Sequence, residues 1–301
     1  MAMEQKVYKL ATHNLRFHAD DIFACAILSM VIKREGATYT LSRTRDPEII
    51  SQADIVFDVG GIYDVATKRF DHHQKGGAGE RANGIPYASC GLVWKTYGDM
   101  LTGNPKITQK LDEKVFQPID LEDNGKEVYT EIIEGVSPFT VQNLFYSFRT
   151  TWKEDDVQLD VAFVELVALA EKVLERLIIR ARDSEEARVL VDAVYQKTED
   201  KRVIVFDTSM PAEEVLMEYP EPLFMVLPNT DGGWRLVGVS AEHNSFKRRK
   251  DMPKEWAGLM NADLAKVTGV EDAVFCHNGL WLAVAKSKEG ILKLAKLALE
   301  A

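Results

Sequence analysis

Two short stretches hold most of the histidines in this chain. The first is His13-Asn-Leu-Arg-Phe-His18-Ala-Asp20-Asp21. The second starts at Asp58, passes the glycine pair Gly60-Gly61 and reaches Asp71-His72-His73. Four of the six histidines fall in these two clusters, which makes coincidence a poor account of them. His13, His18, Asp20, Asp58 and His72 offer imidazole nitrogens and carboxylate oxygens, and Asp120 and Asp123 add carboxylates farther on. A mixed set of this kind suits manganese, iron or zinc better than calcium. With so many donors, two ions can be held with one carboxylate bridging them. Two divalent ions about 3.5–4 Å apart supply a hydroxide nucleophile at neutral pH and clamp an in-line phosphoryl transfer. Asp71, adjacent to His72, is placed to orient a ligand rather than to be one. The bland alternative for His18-Ala-Asp20-Asp21 is a helix N-terminus capped by Asp20 or Asp21.

The elements around these residues read as α/β. Val7 to Thr12 is a strand, and apolar residues recur at helical spacing from Ile22 to Val31 until Gly36 stops them. Thr38 to Arg43 alternates as a strand does. Pro47 to Gln52 is a short helix or turn, and Ala53 to Asp58 a buried strand. Strand, helix, strand, helix, strand implies a doubly wound parallel sheet, whose site lies beyond the carboxyl ends of the strands. His13 and Asp58 each follow a strand end. Helices are expected from Pro86 to Gly98 and from Ile107 to Phe116, then an acidic turn over Gln117 to Gly125. Leu159 to Lys197 is read as two helices. The charged segment Thr198-Glu-Asp-Lys-Arg202 marks a boundary. Residues 1–198 are expected to form the metal-binding domain, including the helical segment 159–198, and residues 199–301 a smaller α+β domain. In the latter, Pro228-Asn-Thr-Asp-Gly-Gly is a hairpin turn, Glu255 to Val267 a helix and Lys288 the start of a terminal helix.

The order of motifs resembles the DHH phosphoesterase superfamily, and more closely the melanocyte-proliferating-gene exonuclease family, long catalogued as metal-dependent protein hydrolases. The carrying segments are Thr12-His-Asn-Leu-Arg-Phe-His-Ala-Asp-Asp, Asp58-Val-Gly-Gly-Ile-Tyr-Asp, Arg69-Phe-Asp-His-His-Gln, Asn83-Gly-Ile-Pro-Tyr-Ala-Ser-Cys-Gly-Leu-Val-Trp-Lys and Asp120-Leu-Glu-Asp-Asn-Gly. Ser245-Phe-Lys-Arg-Arg-Lys-Asp-Met-Pro and Trp256-Ala-Gly-Leu also match. The resemblance implies a DHH-type α/β domain in which His13 and His18 bind one ion, Asp20 the other, and Asp58 bridges them. His72 completes the second ion with Asp120 or Asp123, a choice the sequence leaves open. His73 contacts the scissile phosphate or protonates the leaving oxygen. Ser245, Arg249 and His277 become the candidate substrate contacts. For the basic loop around them, a solvated surface is the competing reading. Two departures stand out. Leu15 replaces the glycine of the family's His-x-Gly-x-Phe, and Asn278-Gly-Leu-Trp follows His277 where the family has a Gly-Gly stretch.

A net charge of -10 argues against broad binding to nucleic acid or anionic membrane through a basic surface. It leaves room for an anionic substrate at a metal site, because the ions bring their own charge. Cys25, Cys90 and Cys276 are scattered, with no zinc pair and no disulfide framework, which suits a reducing compartment. The N-terminal residues show no signal-peptide core and no apolar run reaches membrane-spanning length, so the expectation is a cytoplasmic protein. Lys75-Gly-Gly-Ala-Gly-Glu-Arg81 lacks the Gly-Lys-Ser/Thr ending of a P-loop and reads as a flexible loop.

The first reading is a metal-dependent phosphodiesterase, a 3′-to-5′ exonuclease on RNA or short oligonucleotides. It would use two Mn2+ ions, with Mg2+ or another divalent ion as substitutes. The alternatives are a hydrolase of small nucleotides or phosphoanhydrides, and a non-catalytic metal- or nucleotide-binding regulator. No membrane and no protein partner is expected, and self-association stays open. Peptide hydrolysis has no residue to support it, neither an activated Ser or Cys nor a His-Glu-x-x-His helix.

Overall fold

A computed structural model describes residues 5–243 and 245–301. Met1–Glu4, where part of the N-terminal reading falls, lie outside the described residues. The chain divides into two compact units, Met1–Ala181 and Arg182–Ala301.

The first unit is built on a sheet whose strands are β1 (Val7–Thr12), β2 (Thr38–Arg43), β3 (Ile55–Phe57), β4 (Tyr63–Asp64) and β5 (Arg69–Phe70). Their spatial order is β2-β1-β3-β5-β4, all parallel except the β4–β5 pair. Helix α1 (Ala19–Arg34) connects β1 to β2, and the short α2 (Pro47–Ser51) connects β2 to β3. Successive strand residues point to opposite faces. Leu10, Ile55, Phe57 and Phe70 therefore join the large core that includes α1, whereas Ala11 and Val56 face Ile50 and Ala53 on the α2 side. Helices on both faces make this a doubly wound α/β sheet, as the sequence led us to expect. From β1 the chain steps out to β2 on one side and returns to β3 on the other. The gap between the carboxyl ends of β1 and β3 is thus the switch point at which such sheets place their sites.

Beyond the sheet come α3 (Ser89–Thr102), α4 (Pro105–Leu111), a π-helical turn (Asp112–Phe116), α5 (Gln117–Asp123) and α6 (Val141–Tyr146). α1 is buried on almost every side because the sheet lies under it and α3 over it. Two expectations are corrected here. Pro86 does not open a helix; it pairs with Glu80 in a β-bridge, and α3 begins only at Ser89. The acidic turn is a helix, α5, with Pro118 in its first turn, where a missing N–H costs nothing. Asp120 and Asp123 consequently stand three residues apart on one helix. The two helices expected between Leu159 and Lys197 are one, α7 (Val157–Lys197). Its sequence has no glycine or proline to break it. The boundary between the two units falls within α7, upstream of the charged segment at 198–202.

The second unit holds β6 (Val203–Val205), α8 (Glu213–Leu216), β7 (Phe224–Pro228), β8 (Trp234–Gly238), α9 (Asn261–Thr268), β9 (Ala273–Cys276), β10 (Leu282–Ala285) and α10 (Lys288–Glu300). Its sheet runs β6-β7-β8-β10-β9, antiparallel apart from β6–β7. The expected helix from Glu255 is a 3-10 turn at Lys254–Trp256 followed by α9, because Gly258 takes a positive φ of 71° between them. Among the described residues, no helix is long and apolar enough to cross a membrane.

The loop from β1 to α1 turns at Leu15, whose φ is 66°. A side chain there costs about 1–2 kcal/mol in the left-handed region, which is why a glycine would suit the position. Leu15 is also 55% exposed, so removing it sacrifices little burial. Leu15→Gly is expected to raise stability by about 0.5–1 kcal/mol after the entropy cost of glycine in the unfolded chain. A higher urea midpoint at unchanged m-value is the readout, and a lower midpoint would refute the strain.

Candidate metal centre

The switch point gathers the two clusters. His13 is the residue after β1, and its Nδ1 lies 2.9 Å from the carbonyl of Asn14. A proton on Nδ1, donated to that carbonyl, leaves Nε2 as the free lone pair. That atom is 3.2 Å from Asp21 Oδ2 and 3.1 Å from Asp58 Oδ2. Asp58 follows β3 with φ at 53°, a conformation aspartate tolerates better than most residues. Its two oxygens diverge: Oδ2 faces His13, while Oδ1 is 3.4 Å from His72 Nε2. His72 Nε2 is in turn 3.1 Å from Asp123 Oδ2, and makes no aligned hydrogen bond with either acid.

Donor atoms fall into sets within reach of a single ion. His13, His18 and Asp21 form one, and Asp20, His72 and Asp123 another. Asp58 lies between them through His13 and His72. Two ligands about 2.0–2.2 Å from a shared cation sit about 3.0–3.4 Å apart at octahedral or tetrahedral angles. The spacings of His13, Asp21, Asp58, His72 and Asp123 fall in that range. Charge points the same way. Asp20 is fully buried, and burial together with Asp58, Asp123 and Asp120 pushes its carboxyl well above the usual range. Burial opposes the Asp58 charge too, but His13 and His72 outweigh it and hold that carboxyl below its usual value. Burial likewise opposes protonation of His13 and His72, yet the acids raise them to about 10 and about 11. Acids that pull protons onto their neighbours this strongly lack positive charge, and divalent ions supply it. The residues present therefore fit one or two such ions.

Asp71 follows β5, a two-residue strand not anticipated from the sequence. Its Oδ1 accepts the amides of His72 and His73 at 2.7 and 3.2 Å and lies 2.7 Å from His73 Nδ1, while Oδ2 accepts the Gly61 amide at 2.5 Å. Asp71 is thereby tied to the His73 ring and to three backbone amides, and its carboxylate also lies within one possible donor group with Asp58, His72 and His73. His73 stays partly exposed, and Asp71 raises its pKa above the usual value.

The start of α3 carries contacts that were not anticipated. The Ser89 and Cys90 amides donate to Asp20 at 3.0 and 2.6 Å. Ser89 Oγ donates to Asp58 at 3.3 Å, and the Gly91 amide to Asp120 at 3.2 Å. One helix N-terminus thus steadies three buried carboxylates. Gly91 must be glycine, since a Cβ there would stand 1.9 Å from Asp120 Oδ2. Arg81, taken from the sequence as part of a flexible loop, is buried. It binds Asp112 through Nε and Nη2 at 2.7 and 2.6 Å and Asp120 through Nη1 at 2.7 Å. Burial pushes Asp120 up to about 7 against the pull of Arg81. So Asp123 faces His72, while Asp120 faces Arg81, Cys90 and Asp20. Both acids are candidates from the sequence; their three-residue offset on one helix, α5, is what turns them to different neighbours.

The three candidate substrate contacts lie in the second unit. Ser245 Oγ accepts the Lys247 amide at 3.1 Å. Arg249 donates to the carbonyls of Tyr219, Pro222 and Met217 at 2.5, 3.0 and 2.7 Å. His277 Nδ1 accepts the Gly279 amide at 2.9 Å, and its ring lies 4.8 Å from that of Trp281.

A doubly wound α/β domain thus carries Asp-His-His and a second His/Asp cluster at its switch point, a donor set that fits divalent metal ions. The chain belongs to the MYG1 exonuclease family, described as Uncharacterised protein family (UPF0160), whose model matches residues 9–299. It is 28% identical to the MYG1 protein of Dictyostelium discoideum over 95% of this chain and 94% of that one. It is also 28% identical to the human MYG1 exonuclease over 97% of this chain and 85% of that one. Among solved structures, RecJ of Thermus thermophilus in complex with Mn2+ aligns with 98% of this chain and 52% of its own, at 12% identity and a TM-score of 0.28.

The two acids of α5 should separate on substitution. Asp123→Asn is expected to lose one equivalent of bound Mn2+ by titration calorimetry with little change in melting temperature. Asp120→Asn removes one partner of the buried Arg81 and is expected to cost about 2 kcal/mol or more in stability. The reverse pattern would exchange their roles.

Proposed function

We propose that this chain is a metal-dependent phosphodiesterase that removes nucleotides from the 3′ end of RNA or short oligonucleotides, with two manganese ions. The observation that carries the reading is Asp58, which turns one oxygen to His13 and the other to His72. In this reading His13 and His18, with Asp21 beside them, would hold one ion, and Asp20, His72 and Asp123 the other, with Asp58 available to both sets. Imidazole mixed with carboxylate favours manganese over calcium. Relatives named MYG1 exonuclease, among them the human protein, support nucleic acid as the substrate class.

When bound, such a pair of ions activates a water at neutral pH and offsets the charge of the phosphate. The remaining work belongs to side chains of this chain. Asp71 fixes His73 through Nδ1, so that Nε2 is left to meet a phosphate oxygen or to give its proton to the leaving oxygen. The proton is available because Asp71 raises the pKa of that ring. The α3 amides hold Asp20 in one orientation, which keeps its donor atom fixed when the ion binds.

The test is stepwise shortening of 5′-labelled RNA with Mn2+, comparing wild type with Asp58→Asn. Asparagine keeps the shape and the tolerance of positive φ, so the fold is preserved. A ladder shortening from the 3′ end is expected for wild type, with at least about a 100-fold loss in the variant. Equal rates in the two proteins would exclude the assignment of Asp58, and shortening from the 5′ end would reverse the polarity.

A further inference from the structure

The first unit has a cavity of about 510 Å3 whose lining is, apart from His18, outside the candidate ligands. His18 forms part of its wall, which places the cavity next to one of the two candidate donor sets. Its other walls include Arg16, Arg45, Arg149 and Trp152. Three guanidinium groups around one cavity are notable in a chain of net charge -10. Arg16 and Arg45 are exposed and have no hydrogen-bond or ion-pair partner among the described residues. Arg149 is fixed: Nε donates to the Phe17 carbonyl at 2.9 Å, and its guanidinium lies 3.4 Å from the centroid of the Tyr146 ring. Trp152 is 90% exposed, with the Lys153 ammonium 5.0 Å from its ring centroid. The single acid on the wall, Asp156, accepts the Thr150 hydroxyl at 3.1 Å.

An exposed indole has a face that water solvates poorly, and unpaired guanidinium groups are matched to phosphate oxygens. Stacking surface beside cationic groups is the pairing that holds a single strand without reading its sequence. We infer that this cavity is a subsite for the nucleotides next to the scissile phosphate. Arg16 and Arg45 take backbone phosphates, and one base stacks on Trp152. This rests on the phosphodiesterase reading for what lies at the metal centre, and it specifies the substrate as a single-stranded chain rather than a lone nucleotide.

The test is binding of a 5′-fluorescein ten-nucleotide single-stranded RNA, followed by anisotropy in EDTA so that nothing is cut. Trp152→Ala is expected to weaken binding about 5-fold or more. The double variant Arg16→Ala/Arg45→Ala is expected to weaken it about 10-fold. It should also flatten the slope of log K against log salt by about 1.4, at about 0.7 per phosphate contact in a single strand. All three side chains are exposed, and unchanged melting temperatures confirm the fold. Affinities of both variants within twofold of wild type, or no binding by wild type at 50 mM salt, overturn the subsite. Cleavage of the same RNA with Mn2+ is scored separately. RNA cut by wild type but bound equally by the variants removes the subsite and keeps the phosphodiesterase. RNA held through these residues but never cut supports the subsite and removes the phosphodiesterase.

Discussion

The first unit depends on keeping several carboxylates buried at one end of a sheet. Asp20, Asp21, Asp58, Asp71 and Asp120 are all almost fully inaccessible. A buried carboxylate without a partner is too costly to persist. Here each has a specific compensation. Asp21 and Asp58 face His13, and Asp58 also faces His72. Asp71 is met by three amides and an imidazole. Asp20 rests on two amides of α3, and Asp120 on Arg81 and a third amide. Asp20 remains the least compensated of them, pushed well above its usual range by burial and its acidic neighbours. It also belongs to two of the possible ligand sets, one with His72 and Asp123 and one with Cys90 and Asp120.

The sequence around α3 follows from that constraint. A helix N-terminus offers free amides and a partial positive charge, worth up to about 2 kcal/mol when partly buried. To use it on three acids at once, the first turn must come close to them. Ser89-Cys90-Gly91 permits this with a small hydroxyl, a small thiol and no side chain at all. The Cys90 thiol donates to Asp120 at 3.3 Å, and burial followed by the nearby acids drives its pKa far up. It is a packed hydrogen-bond donor rather than a nucleophile. Arg81 completes the arrangement from the other side and ties α5 to the π-helical turn through Asp120 and Asp112.

What could be read from the sequence was what strand ends dictate. His13 and Asp58 follow apolar runs of strand character, and the switch-point rule places such residues together without any knowledge of side-chain contacts. The doubly wound α/β class followed from the same pattern. What could not be read depended on local choices with weak signals. β4 and β5 are two residues each, too short for any periodicity. Pro118 looked like a turn residue, although proline is equally at home in the first turn of a helix. The stretch from Leu159 to Lys197 reads as two helices, but no glycine or proline there prevents a single helix from continuing. Leu15 was legible only as a departure from a family pattern; its positive φ gives the departure a physical meaning.

The arginines show why density of charge along a sequence is a poor guide to where an anion binds. Lys247-Arg248-Arg249-Lys250 is a dense cationic run in the second unit and lies in a segment that carries the family resemblance. In the structure Arg248 is bound to Glu213, Ser240 and the Gly238 carbonyl, Arg249 to three carbonyls and Lys250 to the carbonyl of Leu299. Each holds the chain together and would have to give up those bonds to bind a ligand. Arg16 and Arg45 lie far apart in sequence and form no motif, yet β1 and β2 run parallel and bring the loops that follow them to the same end of the sheet. A guanidinium that arrives there without a partner has its donors still available, whereas the buried acids are already committed to histidines and amides. In the proposed subsite these arginines would hold a phosphate chain, while His18 on the same cavity wall belongs to the candidate metal donors. Under that proposal, capture of a strand and its cleavage would fall to different side chains at one end of the sheet.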